Sequence, residues 1–464
     1  MDAALIVVTL VLLLAGMGAS MGRFAGRGRR RVWSDVGRSV GLAESAESTS
    51  GSSWLLRLTM ASGKQRVSFV DATGGTRIAI ESTATALSGI ELRPEDFETA
   101  REKHGAGGEI ETGDPAFDEV FYIGGSPADV HARLDAGLRA RLLALHEELK
   151  DVAPIRIAQG RLCADVPQKP YEDSRPALIA VLKRLLETAQ QLPEHVDVME
   201  RMAFHARRER EPAVRLNNLL LLIREFPGHA LTRKALHAAC TDGSSALRVH
   251  AASALGDERT DVLLEIAEDE SADDGSAAMA VDALGDRLAP RPALAILEGA
   301  LRTRRFATAG SCIERLRRAA LPQAVPCLTR ATAVNHGIAV DAVHALAVAG
   351  GTSVEPLLIK ILKRDSAPLR VAAAEALASI GSADAVLALQ EAAEWDLRDK
   401  ELARAARQAI VAIQERLVGV SPGQLSMSVD HEGQLSLSAP QAGSVSLSPT
   451  EAGQVEADDD KRRR

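Results

Sequence analysis

At 464 residues the chain is long enough for two or three domains, and its 46% hydrophobic and 25% charged residues are those of a globular protein. Only 3% of the residues are aromatic, which disfavours sandwiches and barrels and favours helices built from Ala and Leu. A net charge of −8 argues against bulk electrostatic binding to nucleic acid. Cys163, Cys240, Cys312 and Cys327 form no CxxC pair and no disulfide framework, and they read as buried small hydrophobes in a reducing compartment.

Residues 1–33 read as a transmembrane anchor with a basic flank. The segment 3–22, AALIVVTLVLLLAGMGASMG, carries no charge and is long enough to cross a bilayer core of about 30 Å as a helix. Arg23, Arg27, Arg29, Arg30 and Arg31 follow it, whereas only Met1 and Asp2 precede it. The positive-inside rule then predicts a single-pass inner-membrane protein with the bulk of the chain cytoplasmic. A cleaved signal peptide has the opposite charge order, although the small residues of 15–20 imitate a cleavage site, so a periplasmic envelope protein is kept as an alternative. Beside an apolar span, the arginines read as a topology signal and a contact for anionic lipid rather than for nucleic acid. Residues 34–53 end in the small, polar run GLAESAESTSGSS, and 34–51 read as a flexible linker.

Residues 52–170 read as a small α+β domain. Three short β-rich runs, 54–60, 66–70 and 76–81, are separated by Gly63 and Gly74-Gly75, the pattern of a meander. A further strand is predicted at 120–123. Ser126 caps a helix beginning at Pro127, whose apolar stripe is Val130, Leu134, Leu138, Leu142 and Leu145. Ile155–Ile157 and Leu162–Ala164 around Gly160 predict a hairpin. The run I-E-T-G-D-P-A-F-D, Ile110 to Asp118, ahead of F-x-I-G-G and a Leu-rich helix, resembles a module of bacterial membrane proteins of unknown function. Some of those carry HEAT repeats and come from high-GC bacteria of the myxobacterial type. The resemblance implies no activity and transfers no catalytic residue. Asp114 and Asp118, four apart, have the types needed for a cation, but Gly113-Asp114-Pro115 is turn chemistry, with Asp114 bonding local N–H groups and Asp118 capping or pairing.

Residues 171–418 read as an α-solenoid. Leu247-Arg-Val-His-Ala-Ala-Ser-Ala-Leu-Gly256 recurs as Leu369-Arg-Val-Ala-Ala-Ala-Glu-Ala-Leu-Ala378, with relatives at 280–285 and 340–347. The leucines closing these phrases, Leu255, Leu284, Leu316, Leu346 and Leu377, and then Ile410, recur at about 29 to 33 residues, the spacing of stacked supersecondary units. Each phrase predicts a first helix, and a second apolar helix follows at 261–267, 293–297, 325–328, 354–362 and 385–389. Pro292, Pro322 and Pro356 fit first turns, Pro326 falls further in and is expected to distort its helix, and Gly256, Gly285, Gly350 and Gly381 fit helix ends. This pattern resembles HEAT repeats, particularly the short bacterial kind related to phycobilin-lyase repeats. Residues 175–191 and 194–210 read as helices that begin the stack.

Neither GxxxxGK[ST], HExxH nor GxSxG occurs. His237 and Cys240 share a helical face, but two ligands do not make a metal site. The acidic run 268–274 lacks the EF-hand register and reads as an inter-repeat loop, and His250 and His344 read as packing residues. No catalytic, cofactor or metal residue is therefore assigned. Residues 419–464 are a low-complexity tail with a ten-residue repeat, GQLSMS, GQLSLS, GSVSLS, read as disordered or as short strands awaiting an edge.

The fold class expected is mostly α: a HEAT-like α-solenoid preceded by a transmembrane helix and a small α+β domain. The expected function is a membrane-tethered protein–protein interaction scaffold, not an enzyme. Its solenoid surface takes a protein partner, residues 3–22 take the membrane, and nucleic acid is not a partner. A bilin-lyase-like enzyme or ligand-binding solenoid is the alternative, and it requires a deep polar pocket with convergent ionisable groups.

Overall fold

The computed structural model describes residues 28–44, 57–63, 65–72, 75–82, 86–95, 108–167, 172–192, 196–334, 337–364, 366–395, 400–416, 425–427 and 435–437. The apolar segment 3–22 lies outside them. The chain divides into two compact units, Met1–Leu288 and Ala289–Arg464.

The first unit begins with helix α1, whose described part is 28–39, and the two-residue strand β1 (Ala43–Glu44). Val32, Trp33 and Val36 form one helical stripe and are buried, with Leu42 beside them. The Trp33 indole N–H donates to Thr76 Oγ1 at 3.2 Å, and its ring lies 6.1 Å from Phe69. Burying side chains of this size stabilises by roughly 1.5–3 kcal/mol each. The boundaries expected at 33 and 51 are corrected accordingly: residues 28–44 are a structural part of the first unit, neither a basic flank nor a linker. Arg29 pairs with Asp71, and Arg30 and Arg38 lie 3.6 and 3.5 Å from Glu44. Three side chains at helical spacing were outweighed in the sequence by the polar residues around them.

Strands β2 (Arg57–Ser62), β3 (Gln65–Ala72), β4 (Gly75–Ser82), β5 (Ile90–Pro94), β6 (Phe121–Gly125), β7 (Ile155–Ala158) and β8 (Arg161–Val166) complete an eight-stranded antiparallel sheet. Its order is β1-β2-β3-β4-β8-β7-β5-β6. The predicted meander and hairpin are both present. The β7–β8 turn holds Gln159 and Gly160 at φ 52° and 72°, the two left-handed residues a type I′ hairpin requires. Alternation sends Leu58, Met60, Val67, Phe69, Ile78, Ile80 and their counterparts on β5–β8 into one core.

Helices α2 (Pro115–Asp118), α3 (Pro127–Arg133), α4 (Ala136–Leu149) and α5 (Arg175–Gln190) follow in chain order. Ser126 caps α3 as expected, accepting from Asp129 N. The single helix predicted through Leu145 is broken. Leu134 leaves helical geometry at ψ 65°, and Asp135 caps α4 by accepting from Leu138 N at 2.7 Å. A second correction concerns α5, expected as the first helix of the stack. Its buried stripe Leu178, Val181, Leu182 and Leu185 belongs to the sheet core instead, packed on β4 and β8.

The repeats begin with α6 (Val198–Arg208), α7 (Pro212–Glu225), α8 (Ala230–Ala239), α9 (Ser245–Leu255), α10 (Thr260–Glu268) and α11 (Asp274–Leu284). Here α9 packs on α7, α8, α10 and α11, the neighbour-to-neighbour pattern of a helical-repeat stack. Gly256 and Gly285 close α9 and α11 with φ of 61° and 50°.

The second unit holds α12 (Pro290–Thr303), α13 (Phe306–Ala319), α14 (Val325–Thr332), α15 (Ile338–Gly350), α16 (Glu355–Arg364), α17 (Ala367–Ile380), α18 (Ala383–Trp395) and α19 (Lys400–Arg416). First helices α13, α15, α17 and α19 pack in succession, as do second helices α16 and α18. The phrases Ala342–Leu346 and Ala372–Leu377 supply small buried residues at these contacts. This is a HEAT-like repeat region. Pro326 turns out to be harmless: a 3₁₀ turn at Pro322–Ala324 delays the start of α14, so the proline falls in its first turn. The left-handed stop after α15 is Gly351, at φ 54°, one residue beyond the glycine expected. Residues 338–363 are long and apolar enough to cross a membrane, but half of that window is buried and a 3₁₀ turn divides it into α15 and α16. In the tail, Leu425–Met427 pairs antiparallel with Leu435–Leu437, Leu435 opposite Met427, so the strand reading holds for two of the repeats.

Candidate functional site

The signature run forms a structural latch in the first unit. Asp118 accepts from Thr112 N at 3.0 Å, Thr112 Oγ1 at 2.7 Å and Gly113 N at 2.9 Å. Asp114 Oδ2 accepts from Arg139 Nε at 2.8 Å. The two carboxylates therefore serve separate partners, one bracing its own loop and the other a buried arginine on α4. Arg139 also donates to the Leu134 carbonyl at 2.6 Å and to Glu209 Oε2 at 3.2 Å, and Glu209 Oε1 accepts from Ala136 N. Glu209 follows α6, so this network fastens the start of the repeats to the sheet layer. Gly113, at φ 88°, completes the latch: a Cβ there would come within 2.8 Å of the Ala213 carbonyl carbon on α7. Two histidines lie in the same contact. His205 Nδ1 is 2.9 Å from the His131 carbonyl oxygen. Burial, then the charges of Arg139 and His205, pull the His131 pKa down to about 4, so both rings are held neutral at pH 7.

The other sequence candidates do not converge. His237 is exposed, 3.9 Å from Glu258, while Cys240 is buried at the end of α8. Within the acidic run, Asp269 accepts from Ser271 N and Asp273 caps α11 through Ser276 N. His250 is half-buried, and His344 lies 3.6 Å from Glu375 of the next first helix. Among the described residues no group of three or more His, Cys, Asp or Glu could hold a metal ion.

A site that sequence reading missed lies on the outer face of the sheet. Strand register sets three cross-strand rows there. The middle row is Thr59, Ser68, Ala79, Cys163 and Arg156. One flanking row is Arg57, Val70, Arg77 and Asp165, and the other is Arg66, Glu81 and Arg161. Small residues between arginine rows make a trough of about 530 Å³, lined by Arg57, Arg77, Arg93, Arg156 and Arg161, with Glu91 the carboxylate in its lining. Ala79 and Cys163 are only 6% and 4% exposed. Asp165 holds Arg77 at 2.6 Å and Arg156 at 3.1 Å, Glu81 holds Arg161 at 3.3 Å, and the Arg93 guanidinium lies 4.6 Å above the Tyr122 ring. Burial first, then the charge of Asp165, pushes the Cys163 thiol up to about 11, so the floor is uncharged. The available signal was the alternation itself: each arginine sits one residue from a core aliphatic on its strand.

No protein-family model matches the chain, and no curated protein does. Among solved structures, human deoxyhypusine hydroxylase in complex with glycerol, a HEAT-repeat helical protein, is similar at 17% identity. The match covers 47% of this chain and 96% of that one with a TM-score of 0.20. At so low a score the helical-repeat assignment rests on the helix packing described above.

Proposed function

We propose that the protein is a membrane-tethered protein–protein interaction scaffold, without catalytic activity of its own, whose HEAT-like region presents the partner-binding surface. The observation that carries this reading is the neighbour-to-neighbour stacking of helices, an architecture that exposes long rows of helix faces suited to extended partners. Val348, Leu387 and Val411, on three helices of the second unit, are apolar and 41–51% exposed. The cleft at Glu298, Arg302 and Arg330 has Arg330 and Glu298 paired at 3.5 Å, which suits a recognition surface better than a reaction centre.

The tether is the segment 3–22, placed in the inner membrane with the bulk of the chain cytoplasmic. Val32 is already a core residue, so about ten residues separate the span from the sheet layer, a reach of at most about 35 Å. The scaffold is thus held close to the bilayer rather than on a long spacer. The test has two parts. A reporter fused after Arg416, outside every core described, reads the side of the membrane; an active periplasmic reporter together with a processed amino terminus would replace this reading by that of an envelope protein. Affinity capture from solubilised membranes, wild type against Val348→Glu/Val411→Glu, then reads the scaffold. Partners retained equally by both proteins would remove the second-unit surface from the proposal.

A further inference from the structure

Arginines concentrated on the outer face of the sheet in an otherwise acidic protein call for an explanation, and their ion pairs supply only part of one. Five guanidiniums line the trough, Glu91 is the carboxylate among its lining residues, and Asp165 and Glu81 beside it hold Arg77, Arg156 and Arg161. Arg57 has no hydrogen-bond or ion-pair partner among the described residues. The Nε atoms of Arg156 and Arg161 are buried and donate to nothing. Buried donors of charged groups are costly to leave unmet, and an acceptor-rich anion would satisfy them.

The positioning is favourable. Arg77 and Arg156 are fixed by one carboxylate, Arg161 by another and Arg93 by the Tyr122 ring, so of the lining arginines an incoming anion has only Arg57 left to order. Guanidinium groups approach from both flanking rows across an uncharged floor of Ser68, Ala79 and Cys163, which suits a group with oxygens on several sides. The volume of about 530 Å³ falls in the range of small-molecule sites. A nucleic-acid strand would need several stacking rings, and Tyr122, already covered by Arg93, is the aromatic in the lining.

We propose that this trough on the sheet of the first unit binds a phosphate-bearing small molecule, with Arg57, Arg156 and Arg161 as the principal anion contacts. It is independent of the scaffold reading, which concerns the helical region. A phosphate in the trough completes the donors of Arg156 and Arg161 and engages Arg57 at its rim.

The experiment is isothermal titration of the full chain in non-ionic detergent with inorganic pyrophosphate and with inorganic phosphate, ionic strength held constant with sodium chloride. Saturable one-to-one binding is expected, pyrophosphate tighter than phosphate. Arg57→Gln, exposed and unpaired and therefore safe for folding, should weaken it at least about tenfold, and Arg57→Lys by less, since a lysine keeps the charge without the fork. Arg224→Gln, on an exposed face of α7, should bind as wild type. Phosphatidic-acid vesicles that bind and are displaced by pyrophosphate would assign the same phosphate chemistry to a lipid headgroup; vesicles that fail to bind would assign it to a free metabolite. The proposal is overturned by the absence of saturable pyrophosphate binding, by undiminished binding to Arg57→Gln, or by an oligothymidylate that binds without being displaced by pyrophosphate.

Discussion

In the sheet layer, Arg77 finds Asp165 across 88 residues of chain; in the helical stack of the second unit, Arg330 finds Glu298 across 32, one repeat away. The first contact exists only once β4 and β8 have paired, and the second needs only that one repeat settle on the next. The sheet layer therefore stands or falls as a whole, through long-range pairing, whereas the stack is a chain of local interfaces. Each region fails differently, and the place where α6 and α7 meet the sheet layer is where the two kinds of stability are coupled.

Four tests break or sharpen this contrast. The largest effect is expected at the coupling itself. Arg139→Met leaves Asp114 and Glu209 without their shared cation, and removing one partner of a buried ion network costs about 3–5 kcal/mol. Urea unfolding of the variant should lose that much, and a loss below about 1 kcal/mol would mean that the network is not what fastens the repeats.

Next come paired core truncations. Ile78→Ala in the sheet and Leu346→Ala in the stack remove fully buried side chains, each costing about 2–5 kcal/mol. Hydrogen exchange should rise across all the strands in the first case, and only in α15 and the helices packed on it in the second. Equal spread in both variants would contradict the distinction drawn between the regions.

Gly113→Ala adds a Cβ at a left-handed position against the α7 backbone, and should cost about 2 kcal/mol. It should act on unfolding of α6 and α7 before that of the sheet. Unchanged thermal stability would show that the loop moves aside freely.

The smallest effect is a pH dependence. The His131 pKa, about 4 in the folded protein against 6.5 for a free imidazole, makes protonation favour the unfolded chain. Stability from this group is complete above about pH 6.5, falls as the pH drops, and is fully lost below about 4. Between pH 7 and pH 5 the loss is just under 2 kcal/mol, from 1.36 kcal/mol per unit. His131→Gln should flatten that part of the melting-temperature profile; an unchanged slope would move its origin to other groups.

Much of the stack was legible because its causes are local. Alanine-rich phrases at a period near 31, prolines in first turns and glycines at helix ends each act within a few residues, and Leu284, Leu316, Leu346 and Leu377 are buried where the period puts them. That a carboxylate braces the Gly113 loop was legible too, but the structure exchanges the expected roles: Asp118 accepts from the loop N–H groups and Asp114 pairs with Arg139, a partner 25 residues away. The arginine trough was not legible. Arg57, Arg77, Arg156 and Arg161 lie on four strands, and nothing short-range says which will be neighbours. Nor was α5 legible as part of the sheet core, because an apolar helical stripe looks the same whether it faces a sheet or another helix.

What the sequence by itself determined, then, is the material: alternating strands ahead of helical hairpins, the positions of their turns and stops, and the repeat that makes one hairpin the bed of the next. What only the tertiary structure decided is which faces meet. It placed Trp33 and α5 in the sheet core, Arg139 between Asp114 and Glu209, and five arginines around one trough. Side-chain period fixes the direction of a residue relative to its own element, whereas its partners are set by strand order and docking, which carry no local signature.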